Sequence, residues 1–204
     1  MNIISGLTAP DSGKVFLAGK EITGQPGQIS YMLQKDLLLE HKRVIDNVAL
    51  PLVIQGMKKK EAREKADPYF AQFDLSGTQT LYPAQLSGGM RQRAALLRTY
   101  LGSRGVILLD EPFSALDMIT RGQIHSWYLE IMARMGLSTI LITHDADEAI
   151  MLSDRIYLLT GTPGEIRNEI RIDVPREDRK EFSLTPEYSA YKREIRETLQ
   201  QPAP

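Results

Sequence analysis

The run "QLSGGMRQRAALLRTYLGSRGVILLDEP", Gln85 to Pro112, holds a helix and a strand side by side and decides the fold class. Its first half opens on Ser87, Gly88 and Gly89 and continues with Met90, Ala94, Leu97 and Leu101. That spacing predicts a helix from about Gly88 to Leu101 with one apolar stripe. Its second half, Val106 to Asp110, is an apolar run that stops at two adjacent carboxylates, Asp110 and Glu111. A short apolar run of this kind reads as a strand buried on both faces, as in a parallel sheet.

Downstream, the alternation continues. Ile124, Trp127, Ile131 and Met135 mark a helix whose stripe is core. "STILITH" (Ser138 to His144) reads as a strand, "DADEAIML" as a helix and "RIYLLT" as a further strand. Upstream, "KVFLAGKEI" (Lys14 to Ile22) and "QISYMLQ" (Gln28 to Gln34) read as strands. Val44 to Phe73 is helical in pattern, broken near Pro51 and Pro68. The "KKKEAREK" run within it is a solvated helix face. From Pro175 the tail is charged, with Tyr188, Tyr191, Ile195 and Leu199 on one helical face that packs on the domain. Strands alternating with helices predict an α/β fold, a largely parallel sheet covered on both faces.

Composition narrows the class. The 204 residues carry a net charge of -1, with 42% apolar and 25% charged residues. That suits one large soluble domain, or one domain with a small insert. Near-neutral charge gives no support for a nucleic-acid partner. With no cysteine, disulfides, thiol catalysis and thiolate metal sites are excluded. No apolar run reaches the roughly 20 residues that span a bilayer, so any membrane association comes through a partner.

Several residue types sit where α/β proteins bind ligands. Asp110 and Glu111 end a strand, where the crevice of a parallel sheet lies. Asp110 suits Mg²⁺, and Glu111 can orient or deprotonate a water at a reacting phosphate. The alternative is a strand that merely ends in polar residues. His144 ends another strand and can donate to a terminal phosphate oxygen, although a lone histidine is more often structural. His41 and His125 carry no assigned role. Ser87, Gly88 and Gly89 open a helix whose first-turn amides are unpaired donors, a phosphate-binding arrangement. Ser87 can equally be a simple N-cap.

Taken together these motifs resemble the ATP-binding cassette (ABC) ATPases. "LSGGMRQR" resembles the family signature, "VILLDEP" its Walker B strand with the catalytic glutamate, and "SALD" (Ser114 to Asp117) its D-loop. "LITHD" resembles the H-loop, and Gln34 in "YMLQKDLLL" the Q-loop glutamine. All five occur in family order. "YLLTGTPGEI" and the "PRED…TPEYSAYKREI" tail are similar to the ATPase subunits of nitrate, sulfonate, taurine and pyrimidine-precursor importers.

The resemblance implies a P-loop-NTPase-like parallel sheet core over residues 1–204, with a small helical subdomain at about 44–101 and a tail at about 175–204. It implies ATP and Mg²⁺ as ligands. Glu111 and His144 would be catalytic, Gln34 and Asp110 would hold Mg²⁺, and Ser87, Gly88, Gly89 and Asp117 would bind nucleotide. Implied partners are a second ATPase subunit in a head-to-tail homodimer, integral membrane permease subunits and, indirectly, a solute-binding protein. The implied location is the cytoplasmic face of the cell membrane.

The family's phosphate loop, G-x-x-x-x-G-K-[ST], does not occur in the 204 residues. "MNIISGLTAPDSGKVFLAGKEI" resembles the segment on the C-terminal side of that loop in relatives: the rest of its helix, a turn and a strand. The expectation is a core truncated at its N-terminus and inactive alone. A natural non-hydrolysing partner or regulatory subunit, or a soluble ABC ATPase without a transporter, are the alternatives. Leu37, Leu38, Leu39, Val44 and Val48 are read as a groove for a membrane-subunit helix, or else as packing of the helical subdomain.

Overall fold

The computed structural model describes residues 1–114 and 118–200, with the side chains of 118–121, 123, 177 and 180 not described. The chain falls into two compact units. The first is Met1–Arg121 with Ile131–Ile142, and the second is Gly122–Glu130 with Thr143–Pro204.

The first unit is built on a three-stranded parallel sheet in the order β3–β4–β5: β3 (Ser30–Met32), β4 (Val106–Asp110) and β5 (Ser138–Ile142). β4 is central, and Ile107, Leu108 and Leu109 are fully buried, as the unbroken apolar run requires. Register places Tyr31 beside Leu108 and Asp110 beside Ile142, which brings three strand ends level. "KVFLAGKEI" forms two strands instead of one. β1 (Phe16–Leu17) and β2 (Lys20–Glu21) pair antiparallel. The chain reverses at Ala18 and Gly19, both at positive φ (47° and 79°), the backbone of a two-residue hairpin turn.

Four short helices follow: α1 (Val44–Val48), α2 (Leu50–Ile54), α3 (Lys59–Ala66) and α4 (Pro68–Gln72). Pro51 and Pro68 sit in the first turns of α2 and α4, where a missing N–H costs nothing, so the breaks precede them. α1 and α2 pack on α5 (Gly88–Gly102). Tyr100 of α5 meets Tyr69 and Phe73 edge-on or tilted, with ring centroids 5.3 and 5.9 Å apart. Asp46 of α1 holds α3 through a two-pronged bond from Arg63 (2.7 Å to each oxygen) and a contact with Lys59 at 3.3 Å.

The parallel reading fails at the last strand. β6 (Arg155–Thr160) pairs antiparallel with β7 (Glu165–Arg171), a strand the sequence pattern does not reveal. With α7 (Ala146–Leu152) and α9 (Pro186–Gln200) these strands form the core of the second unit, around Ile150, Ile156, Leu158, Ile170, Tyr188 and Ile195. The expected α9 face is only partly buried: Leu199 is 50% exposed. Between β7 and α9, α8 (Arg179–Phe182) begins with a buried arginine, satisfied by Val174 O, Met151 O and Asp154 Oδ1. α6 (Met118–Met135) contributes its middle to the second unit and its ends to the first.

Candidate nucleotide site

Three of the expected residues meet at the ends of β3 and β4. Gln34 lies two residues beyond β3, and its Nε2 donates to Glu111 Oε2 at 2.8 Å. Asp110, the last residue of β4, accepts a bond from the Tyr31 hydroxyl at 2.8 Å. Burial and this bond to a carboxylate push the Tyr31 phenol up to about 12. A surface recess beside the acidic tip is lined by Met1, Asn2, Ile3, Thr8, Tyr31, Asp110 and Ile142. Met1 to Leu7 form hydrogen-bonded turns, with Ser5 N donating to Met1 O at 3.0 Å, where the sequence leads one to expect the end of a helix.

Glu111 is held in an uncommon conformation, φ 45°. Its N–H donates to Ile142 O of β5 at 2.8 Å, and its carbonyl accepts from Ser114 Oγ at 3.0 Å. A left-handed non-glycine residue costs on the order of 1–3 kcal/mol and persists where its surroundings over-determine it, a pattern that clusters at functional sites. Gln92 of α5 adds a further tie, donating from its buried Nε2 to Pro112 O.

All the donors gathered here are oxygens: the two carboxylates and the Gln34 carboxamide oxygen. That set suits a hard cation such as Mg²⁺, which binds through one or two carboxylates and takes its other ligands from phosphate and water. Among the described residues no cluster of three or more His, Cys, Asp or Glu could hold a metal by itself.

Ser87 is the N-cap of α5, its Oγ accepting from Met90 N at 3.3 Å. The capping role and the exposed position coexist, since Ser87 and Gly88 both face solvent. A Cβ built on Gly88 would meet nothing within 4 Å. Packing within this chain therefore does not demand glycine there, and close approach of something outside it would.

His144 belongs to the second unit and is exposed. Both its neighbours are pinned. Thr143 Oγ1 donates to Glu148 Oε2 at 2.7 Å and accepts from Asp145 N at 3.0 Å. Asp145 caps α7, its Oδ1 accepting from Asp147 N and Glu148 N at 2.8 and 3.2 Å. Glu148 is 2% exposed, and its Oε1 lies 3.5 Å from His125 Nε2. Asp117 lies outside the described residues.

The groove expectation divides. Leu38, Val44 and Val48 are core, at 5%, 0% and 0% exposure. Leu37 is 52% exposed, and Leu39 lies between the two. Asn47, buried on α1, carries no signal in the sequence pattern. Its carboxamide bonds Leu39 N and O, Lys42 O and Arg43 O, so one side chain fixes the loop after Gln34.

The fold is of the α/β class, with acidic residues at the end of a parallel strand and a separate helix opened by glycines. The model of the ABC transporter family matches residues 1–114, and the chain belongs to that family. The formylaminopyrimidine import ATP-binding protein ThiZ of Halalkalibacterium halodurans is 40% identical over 201 residues, covering 97% of this chain and 78% of that protein. The nitrate import ATP-binding protein NrtD of Synechocystis sp. is 34% identical over 98% of this chain and 77% of its own length. The taurine import ATP-binding protein TauB of Chromobacterium violaceum is 39% identical over 84% of this chain and 66% of its own. Among solved structures, a dimeric ATP-binding cassette bound to ADP and Pi in a post-hydrolysis state superposes with a TM-score of 0.70 at 27% identity, covering 85% of this chain and 79% of that one. The cbiO1 protein of Clostridium perfringens shares the fold, with a TM-score of 0.73 at 19% identity over 95% of this chain and 81% of its own.

Proposed function

We propose that the chain is the ATP-binding subunit of an importer, coupling ATP hydrolysis to uptake of a small solute of the nitrate, sulfonate, taurine or pyrimidine-precursor kind. The observation that carries the reading is the Gln34–Glu111 hydrogen bond at the ends of adjacent parallel strands. It joins a residue suited to sensing Mg²⁺ to a residue suited to activating water. The solutes for which the similar import proteins are named support the solute class.

In this reading Asp110 and Gln34 would hold Mg²⁺, which when bound neutralises phosphate charge. Glu111 acts as general base toward the attacking water. His144 donates to the terminal phosphate oxygen. Ser87, Gly88 and Gly89 offer first-turn amides to nucleotide held by a second ATPase subunit, paired head to tail. Asp117 would contribute at that same interface. Permease subunits carry the solute, which a solute-binding protein delivers to them.

The 204 residues contain no G-x-x-x-x-G-K-[ST]. The expected consequence is weak ATP binding and negligible turnover by this chain alone, since each absent charge-assisted hydrogen bond is worth about 1.5–3 kcal/mol. Calorimetry on the 204-residue chain checks this, and micromolar MgATP affinity would overturn it. The catalytic assignment is tested in a form that carries such a loop ahead of Met1. There Glu111→Gln keeps the shape and removes the base, so turnover falls by roughly 10²–10⁴ while ATP stays bound. Near-normal hydrolysis would move the base elsewhere.

A further inference from the structure

The loop after Gln34 is fastened to α5 by two arginines. Arg91 forks onto Asp36, with Nε 2.9 Å from Oδ2 and Nη2 3.2 Å from Oδ1. The same Nη2 reaches Glu40 Oε1 at 2.8 Å. Arg98, two turns further along α5 and on the same face, donates to Leu37 O at 2.8 Å and Asp36 O at 2.5 Å. Asp36 Oδ1 also accepts from Leu38 N at 2.9 Å. Between these anchors Leu37 is forced to φ 46°, which turns its side chain to solvent and sends Leu38 into the core. A leucine does not adopt that backbone without external constraint, and the two arginines together with Asn47 supply it.

We infer that Arg91 is a positioning residue for Gln34: the Arg91–Asp36 fork sets the course of the chain two residues past Gln34 and thereby holds the Gln34 carboxamide on Glu111. Arg91 is also four residues from Ser87 on α5. The helix that opens on the exposed Ser87 and Gly88 is therefore the one that orients Gln34. The consequence for nucleotide rests on the reading of Gln34 and Glu111 given above, but the positioning does not.

The test uses NMR on the full 204-residue chain without nucleotide, so it is independent of whether ATP binds. Two signals are followed at fixed pH: the Gln34 carboxamide resonances, and the Leu38 amide, which reports the position of the Asp36 carboxylate bonded to it. The charged groups facing Asp36 are Arg91, Arg98 and, across Arg91, Glu40. Arg91→Ala is expected to shift the Gln34 carboxamide toward the position of a solvent-exposed amide and to displace the Leu38 amide signal as the fork on Asp36 is lost. Arg91→Lys keeps the charge without the fork. It is expected to restore little of the native Gln34 carboxamide position. Glu40→Gln leaves the fork intact and both signals in place. Unchanged Leu108 and Leu109 methyl signals show that the sheet is folded. If Arg91→Ala unfolds the chain, Asp36→Asn removes the fork from the other side, and the same carboxamide shift is expected. A Gln34 signal that stays put while the Leu38 amide moves would overturn the inference and leave Arg91 a brace only.

Discussion

Tyr31 shows what a single residue adds to this site. Its hydroxyl bonds Asp110 across 79 positions of sequence, and nothing in "QISYMLQ" marks it as a partner of the acidic tip. Asp110 and Glu111 are legible because an apolar run ends on them. Gln34 is legible only through family resemblance. Tyr31, Asp36, Arg91 and Asn47 are not, because their partners are set by strand register and loop path. Tyr31→Phe should lower stability by about 1 kcal/mol, the worth of one hydrogen bond to a carboxylate at a half-exposed position, read from urea unfolding at pH 7. The pH profile gives a second check. The folded phenol sits at about 12, above its ordinary 10.0. Its stabilising contribution is complete below pH 10 and is lost as pH rises toward 12, so stability falls over that window. Tyr31→Phe should flatten the fall, and an unchanged alkaline profile would count against the bond.

At the scale of elements, strands with unbroken or alternating apolar runs announce themselves, and β4 and β6 begin and end where the sequence places them. β7 is hidden because "EIRNEIR" sets Ile166 and Ile170 four apart, which mimics a helix face. β1 and β2 merge into one expected strand because the turn between them is a single Ala-Gly step. The short helices α1 and α3 depend on each other through Asp46. The Arg63 fork, reinforced by Lys59, outweighs partial burial and holds the Asp46 carboxyl below its ordinary 3.8. A lowered folded value means this stabilisation is present above pH 3.8 and lost as pH falls through the folded value. Asp46→Asn should cost about 1–2 kcal/mol at pH 7. It should also remove this part of the acid dependence from a denaturation series between pH 6 and pH 2. An acid limb of unchanged steepness would place the dependence on other carboxylates.

Across the whole molecule, a three-stranded parallel sheet and a separate antiparallel pair stand where the sequence pattern suggests one continued alternation. Periodicity reports which faces are buried. It does not report which strand lies beside which, and the pairing of β6 with β7 is invisible to it. Among the described residues no helix is long and apolar enough to cross a membrane. The importer reading calls for a membrane partner, and Leu37, on a loop fixed by Arg91, Arg98 and Asn47, is exposed. The measurement that tests this most directly is affinity purification of the tagged protein, with MgATP, from solubilised membranes of the cell that makes it. The account predicts recovery with an integral membrane permease and a second ATPase subunit in stoichiometric amounts. Recovery with nucleic acid, or with no membrane protein at all, would contradict it.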